Sequence, residues 1–410
     1  MYRDLYDRLK ESINYTENEI KIDDRVVVHN FDFHSDAWNL LPGGERNPDK
    51  YEFYAADAPE YEPDVIQRML NKCDPEITEN IDFRYQVFRP SGTDKLKHTI
   101  LFFHGFNEKN WTKYLTWAKR LTEITQSAVV LFPIAFHMNR APLSWSNSRQ
   151  MYAISEQRKK RHPEIISSTL SNVAISTRLH NKPQRFIWSG LQTYYDVIKL
   201  VEQIRAGEHP DIDKAASIDF FSYSIGSLLA EILMMTNQDD YFSRSRLCMF
   251  CGGAVFNRLS PVSKFILDSE ANVSLYSFAV EHLESHIKRD AILNEYLGGK
   301  HRAGTNFRSM LNYKILTEYR ESLFRSLSDR LLAVTLQGDS IIPPYEIVNT
   351  LQGVRRDIPV KVDILDFPYP YRHEDPFPAL LSIAEEVDKA FEFTFEKIGL
   401  FLCREKVPAE

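Results

Sequence analysis

Three residues far apart in the chain, Ser224, Asp339 and His373, are of the types that together make a serine hydroxyl reactive. A hydroxyl is a weak nucleophile. It needs a base within hydrogen-bond reach, and the base needs an acid to hold its tautomer. Ser224 stands in SYSIG (222–226), between the apolar run SIDFFSYS and a helical stripe at Ile225, Leu228, Leu229, Ile232 and Leu233. A strand that enters a helix through so short a turn lifts the serine clear of the sheet on a strained backbone. The helix N-terminus then offers N–H groups to developing negative charge. Such a turn needs small residues two before and two after the serine, and here they are Ser222 and Gly226. The pattern is thus S-x-S-x-G. Ser222 ends the strand and Ser227 lies inside the helix, so neither suits the role as well. Taken alone, SYSIG also reads as a tight turn with no chemistry; its partners argue otherwise. Asp339, in GDSIIPP, follows the run RLLAVTLQG, and Pro343 and Pro344 stiffen the turn. His373, in YPYRHEDPFP, follows VKVDILDFP.

The elements that must position these residues are short apolar runs separated by helical stretches. The runs are KHTILFFHG (97–105), SAVVLFPIAF (127–136), SIDFFSYS (217–224), RLCMFCGGAVF (246–256), RLLAVTLQG (330–338) and VKVDILDFP (360–368). They are continuous rather than alternating, as in parallel strands buried on both faces. DRVVVHNFDF (24–33) and IDFRYQVFRP (81–90) alternate more and read as antiparallel strands nearer an edge. A helical pattern recurs over 379–400. Strand and helix in alternation predict an α/β fold with a mostly parallel central sheet flanked by helices. Ser224, Asp339 and His373 then all fall at the carboxyl edge of that sheet, where sites collect. Three regions break the alternation. Residues 1–80 read as an N-terminal extension. Residues 137–190 form an insertion, and 257–329 a helical one, leaving 81–256 and 330–410 as the core.

Here the chain resembles the α/β-hydrolase superfamily, over about residues 81–400. The resemblance rests on SYSIG, GDSIIPP, RHEDP and FFHGFN (102–107), in the order Ser…Asp…His. It implies the α/β-hydrolase fold and a serine hydrolase with Ser224 as nucleophile, His373 as base and Asp339 as acid. It also implies an oxyanion hole from the N–H groups of Phe106 and Ile225, and a cap formed by 257–329. No cofactor is implied, and no substrate is named. Some superfamily members carry the acid one strand earlier, but GGAVFNRLSP holds no carboxylate there. His137, in FHMNRAP, rivals His373 because it too follows a strand, yet it precedes the serine. His104 reads as fixing the oxyanion turn.

Other signals are weaker. Asp32, His34 and Asp36, with Asn30, share a strand face and could converge on a divalent metal; they read instead as a polar, solvent-facing edge strand, and no metal is expected. EQRKKRH (156–162) could steer an anion but reads as a solvated helix face. SWSNSRQM (144–151) could bring Trp and Arg side chains to a pocket. LGGK (297–300) lacks the strand and following residues of a phosphate loop. Cys248 and Cys251, in CMFC, sit in an apolar run and read as strand rather than as a redox or metal pair. The net charge of −7 argues against nucleic acid as a partner. No run of about 18 apolar residues predicts a membrane span. The charged N-terminus has no signal-peptide core and four cysteines make no disulfide framework, so a cytoplasmic location is expected. The sequence leaves the oligomeric state open. The expected partner is a small acyl substrate, and the expected reaction is cleavage of a carboxylic ester or related compound. Acyl transfer by the same three residues, or binding without catalysis, are the alternatives.

Overall fold

The computed structural model describes residues 2–48, 70 and 72–403. Parts of the predicted N-terminal extension (49–69, 71) and of the C-terminal core segment (404–410) lie outside the described residues. The strands are β1 (Glu19–Lys21), β2 (Val26–His34), β3 (Asp82–Pro90), β4 (Leu96–Phe103), β5 (Ala128–Leu131), β6 (Ile212–Tyr223), β7 (Leu247–Phe250), β8 (Leu331–Leu336) and β9 (Lys361–Leu365). They form one sheet in the order β1-β2-β3-β5-β4-β6-β7-β8-β9. From β5 to β9 every pairing is parallel. At the other end β3 is antiparallel to β2 and β5, and β1 is antiparallel to β2.

The continuity of the apolar runs has a direct cause. Successive side chains on a strand point to opposite faces, and both faces here are covered. Leu101 and Phe103 enter one core while Ile100 and Phe102 enter the other; Leu247 and Met249 part from Cys248 and Phe250 in the same way. The helices Arg185–Ala206, Gly226–Thr236 and Pro344–Leu351 cover the first face. The helices Tyr2–Ser12, Thr112–Thr125 and Ala384–Leu402 cover the second. Trp117 lies at the heart of the second face, with Phe250 and Phe395 each at 5.6 Å between ring centroids. This order of strands, with helices on both faces, is the α/β-hydrolase fold. β4 sits between β5 and β6, so the chain leaves it in one direction and later returns on its other side. A crevice opens at the carboxyl ends of strands where connections diverge in this way.

Residues 19–34 fall in the segment read as an extension, yet they add β1 and β2 to the sheet. β1 is three residues long with only its middle one buried, too brief to show as an apolar run. Tyr2, from the first helix, packs on Phe391 at 4.8 Å. Residues 137–190 carry the helices Ser148–Arg161 and Val173–Asn181, and 257–329 carry five short helices beginning with Ser269–Tyr276. The two segments are bolted together. Arg158, expected on a solvated face, is instead buried and holds Asp268 at 2.6 Å. The same carboxylate caps Ser269–Tyr276 by accepting the Ala271 N–H at 2.9 Å.

The loop after β5 is fixed by a buried polar knot. Arg140 donates to Asp196 at 2.8 Å, to the Pro133 carbonyl at 3.1 Å and to the Asn80 carbonyl at 3.1 Å. Ser35 donates to the other Asp196 oxygen at 2.6 Å. Burial raises the Asp196 carboxyl and lowers the Arg140 guanidinium from their ordinary values, so each depends on the other to stay charged. Removing one partner of such a pair leaves an uncompensated ion. The Arg140→Met protein is therefore expected to lose about 3–5 kcal/mol of stability in urea unfolding. A loss below about 1 kcal/mol would show that the pair does not hold the loop.

Candidate active site

Ser224 follows the last residue of β6, and only Ile225 separates it from the helix Gly226–Thr236. Its φ is +56°, in the left-handed region that a serine rarely occupies. The Ser224 N–H donates to the Phe250 carbonyl at 3.1 Å, which ties the turn to β7. Neighbouring positions leave no room for a side chain. A Cβ on Gly226 would lie 2.7 Å from the carbonyl oxygens of Phe103 and His104. A Cβ on Gly252 would lie 2.6 Å from the Ser224 carbonyl oxygen. Ser222 is fully buried and bonds Ser227 at 3.0 Å, so the serine two before Ser224 is accommodated by a hydroxyl on the helix.

Asp339 and His373 meet this turn. His373 Nε2 is 2.7 Å from Ser224 Oγ, and His373 Nδ1 is 2.7 Å from Asp339 Oδ2. The other carboxylate oxygen, Oδ1, accepts the N–H groups of Ile341 and Ile342, both at 2.9 Å. Three donors thus face the buried carboxylate. Nδ1 donates to that carboxylate, which leaves Nε2 unprotonated toward the serine. Tyr223 holds the imidazole from beneath. Its hydroxyl donates to the His373 carbonyl, and its ring stacks at 5.5 Å with planes 20° apart. Lys113 lies 4.8 Å over the Tyr223 ring and donates to the Glu374 carbonyl at 2.8 Å. The pentapeptide SYSIG contains Tyr223, but nothing in the sequence marked it as the support of a loop 150 residues away.

The FFHGFN turn lies beside the serine at the end of β4. His104 spans it: Nδ1 donates to the Gly105 carbonyl at 2.7 Å, and Nε2 accepts the Ile134 N–H at 2.9 Å. Burial, with His137 close by, holds the His104 imidazole well below its ordinary pKa, so it stays neutral. The Gly105 N–H is taken by Tyr114. The N–H groups of Phe106 and Ile225 donate to no group among the described residues. Both residues line a small cavity whose wall also includes Ser224, Phe186, Phe256, Leu267 and Ile342. Ser224 supplies the hydroxyl in an otherwise hydrocarbon wall.

Other candidates are placed elsewhere. His137 does not touch Ser224; it packs on the Phe106 ring at 5.3 Å. Asp32, His34 and Asp36 do not all converge: Asp32 pairs with Arg84 at 3.0 Å, while His34 lies between Asp82 at 2.6 Å and Asp36 at 3.8 Å, and Asp36 also meets Lys199 at 2.5 Å. Asn30 turns to the carbonyls of Asn14 and Glu17. Trp145 is buried under the Arg178 guanidinium at 4.8 Å, and Arg149 is exposed, so neither lines the cavity at Ser224. Cys248 and Cys251 are buried free thiols, and burial pushes both above the ordinary thiol range. Among the described residues no cluster of three or more His, Cys, Asp or Glu could hold a metal, and no helix is long and apolar enough to cross a membrane. A second Ser–His–Asp chain exists at the other end of the strands. His98 lies 2.5 Å from Ser127 and 2.8 Å from Asp219, but Ser127 is fully buried, and its hydroxyl also donates to the Thr125 carbonyl.

The family of unknown function designated DUF6051 matches residues 1–403. No curated protein matches the chain. Among solved structures, the hyperthermophilic esterase from the archaeon Pyrobaculum calidifontis is 13% identical, covers 98% of this chain and 88% of its own, and superposes with a TM-score of 0.43. Carboxyl esterase 2 from the mycorrhizal fungus Tuber melanosporum is 13% identical over 78% of this chain and 82% of its own, at 0.39. Vibralactone cyclase is 10% identical over 98% and 85%, at 0.43. At these scores the fold and the site stand on the geometry of the chain itself.

Burial of His137 gives the site a pH signature. Burial lowers its imidazole from 6.5 to about 4. The folded protein therefore binds fewer protons than the unfolded chain between these values, and stability falls as pH drops from 6.5 toward 4. The contribution of His137 to that fall is roughly 3 kcal/mol. In the His137→Phe protein, the unfolding free energy is expected to change less between pH 7 and pH 4 by about this amount; an unchanged slope would show that His137 titrates freely.

Proposed function

The chain belongs to the DUF6051 family, and from the geometry of its site we propose that it is a serine hydrolase of carboxylic esters or related acyl compounds. The observation that carries this reading is the continuous relay of two 2.7 Å hydrogen bonds from Asp339 through His373 to Ser224, on a turn with φ of +56°. In this reading Ser224 Oγ attacks the acyl carbonyl carbon while His373 Nε2 takes the hydroxyl proton. The resulting tetrahedral oxyanion is bound by the N–H groups of Ile225 and Phe106, each typically worth roughly 3 kcal/mol of barrier. Collapse breaks the bond to the leaving group, which receives the proton from His373 and leaves an acyl-enzyme. Water repeats the sequence in reverse and frees the acid and the serine. Asp339 holds the imidazole tautomer and stabilises the imidazolium at each stage.

The hydrocarbon wall of the cavity supports a substrate with an apolar group beside its carbonyl. A second reading, acyl transfer to an alcohol or amine, draws support from the same wall and from the burial of Ser224, which is 6% exposed, because both keep water from the acyl-enzyme. Product ratios with water alone and with added alcohols separate the two. The buried thiols of Cys248 and Cys251 suit a reducing compartment such as the cytoplasm.

A fluorophosphonate probe is expected to label the native protein at Ser224 and to leave Ser224→Ala unlabelled. Ser127→Ala is expected to label like the native protein, since Ser127 is fully buried. Equal labelling of Ser224→Ala would refute the assignment. For Asp339→Asn, kcat on a p-nitrophenyl ester is expected to fall by about 10⁴-fold, because the amide favours the wrong imidazole tautomer; a drop of less than tenfold would remove Asp339 from the relay.

A further inference from the structure

A second, small cavity adjoins the one holding Ser224 across Phe106 and Ile225. Phe106, Ile225 and Phe186 line both. The pair read above as the oxyanion hole therefore stands between two chambers, as it must if the two halves of an ester extend to either side of the carbonyl. The chambers differ in one respect. Ser189 and Thr193 line the second, but their hydroxyls donate to the Phe186 and Ser189 carbonyls, and Thr193 also accepts the Ala135 N–H. His137 lines it too, and its Nε2 is buried with no hydrogen-bond partner among the described residues.

The chain holds that nitrogen with care. His137 Nδ1 donates to the Ala135 carbonyl at 2.9 Å, so Nε2 carries a lone pair and can only accept. Its neighbours Phe136 and Met138 have φ of +64° and +50°. Two bulky residues in the left-handed region flanking one side chain is strain of a kind that collects at binding sites. The His137 carbonyl accepts the Arg140 N–H at 2.8 Å, and the Met138 N–H reaches Glu108, just beyond the FFHGFN turn, at 3.0 Å. A buried acceptor left unpaired is costly, while one that meets a donor on a ligand becomes a device for selection.

We propose that this second cavity is the subsite for the polar half of the substrate, and that it selects a group bearing a hydroxyl or N–H that donates to His137 Nε2. The inference rests on the serine hydrolase reading for its placement beside the carbonyl. It names the substrate class more closely: an ester with a hydrocarbon group on one side and a short donor-bearing chain on the other.

Binding to the unreactive Ser224→Ala protein tests it without catalysis. The probes are 2-hydroxyethyl, 3-hydroxypropyl and 4-hydroxybutyl hexanoate, each against its deoxy partner, and hexyl 3-hydroxybutanoate against hexyl butanoate. In at least one pair the hydroxylated ester is expected to bind about tenfold more tightly. That preference is expected to shrink to about twofold or less in Ser224→Ala/His137→Phe, which keeps a ring but no acceptor, and to survive in part in Ser224→Ala/His137→Gln, which restores one. Equal binding in every pair, or a preference that His137→Phe leaves intact, would overturn the proposal. The hydrolase reading is scored separately by probe labelling of the native protein: a hydroxyl preference without labelling keeps the subsite and rejects the chemistry.

Discussion

The left-handed backbone of Ser224 is the constraint around which the rest is arranged. Holding a residue with a side chain at φ of +56° costs on the order of 1–3 kcal/mol. The surroundings offset this cost. β6 is paired on both sides, the Ser224 N–H just past its end is tied to the Phe250 carbonyl, and a wholly buried helix begins two residues later. Two glycines let the turn approach its neighbours closely enough for those ties to form. Once the backbone cannot relax, the hydroxyl has one direction to face, and the other loops need only reach it.

They reach it with their own anchors. Asp339 is held by two N–H groups of its own turn, and His373 by Tyr223 and by Lys113 through the next carbonyl. The comparison with Ser127, His98 and Asp219 shows what these anchors and the turn add. That chain has similar hydrogen-bond lengths, but its serine is fully buried and the hydroxyl also donates to the Thr125 carbonyl. Residue types and distances are thus insufficient; the strained turn and the cavity distinguish the two.

Much of the sheet was legible because doubly covered strands must be apolar at every position, and five of the six runs became such strands; the sixth, VKVDILDFP, forms the edge strand β9, where Lys361 and Ile364 are exposed. The three residues at Ser224 were legible because each closes a strand and falls in a small motif. What escaped the sequence was set by distant packing. β1 is too short and too polar to register. Within 1–80, read as an extension, DRVVVHNFDF was legible as an antiparallel strand and became β2; that β1 and the first helix also belong to the sheet and its cover was not legible. Arg158 looked like one charge in a basic run; only the position of Asp268 turns it inward. His137 was weighed as a base because it follows a strand. Its neighbours turn it to a different chamber, which no local pattern reveals.

The segments that roof the cavity are sewn to the parts that surround the serine. Asn107, after the oxyanion turn, donates to the carbonyls of Ser171 and Phe265. Ser263 bonds the Glu374 side chain next to His373 at 2.8 Å, and the Ser260 N–H bonds the Ile341 carbonyl two residues past Asp339. Each wall of the cavity at Ser224 thus has a stitch to the same roof. The bonds that fasten the roof are also braces of the loops that carry Asp339 and His373, so slack in the one is slack in the other.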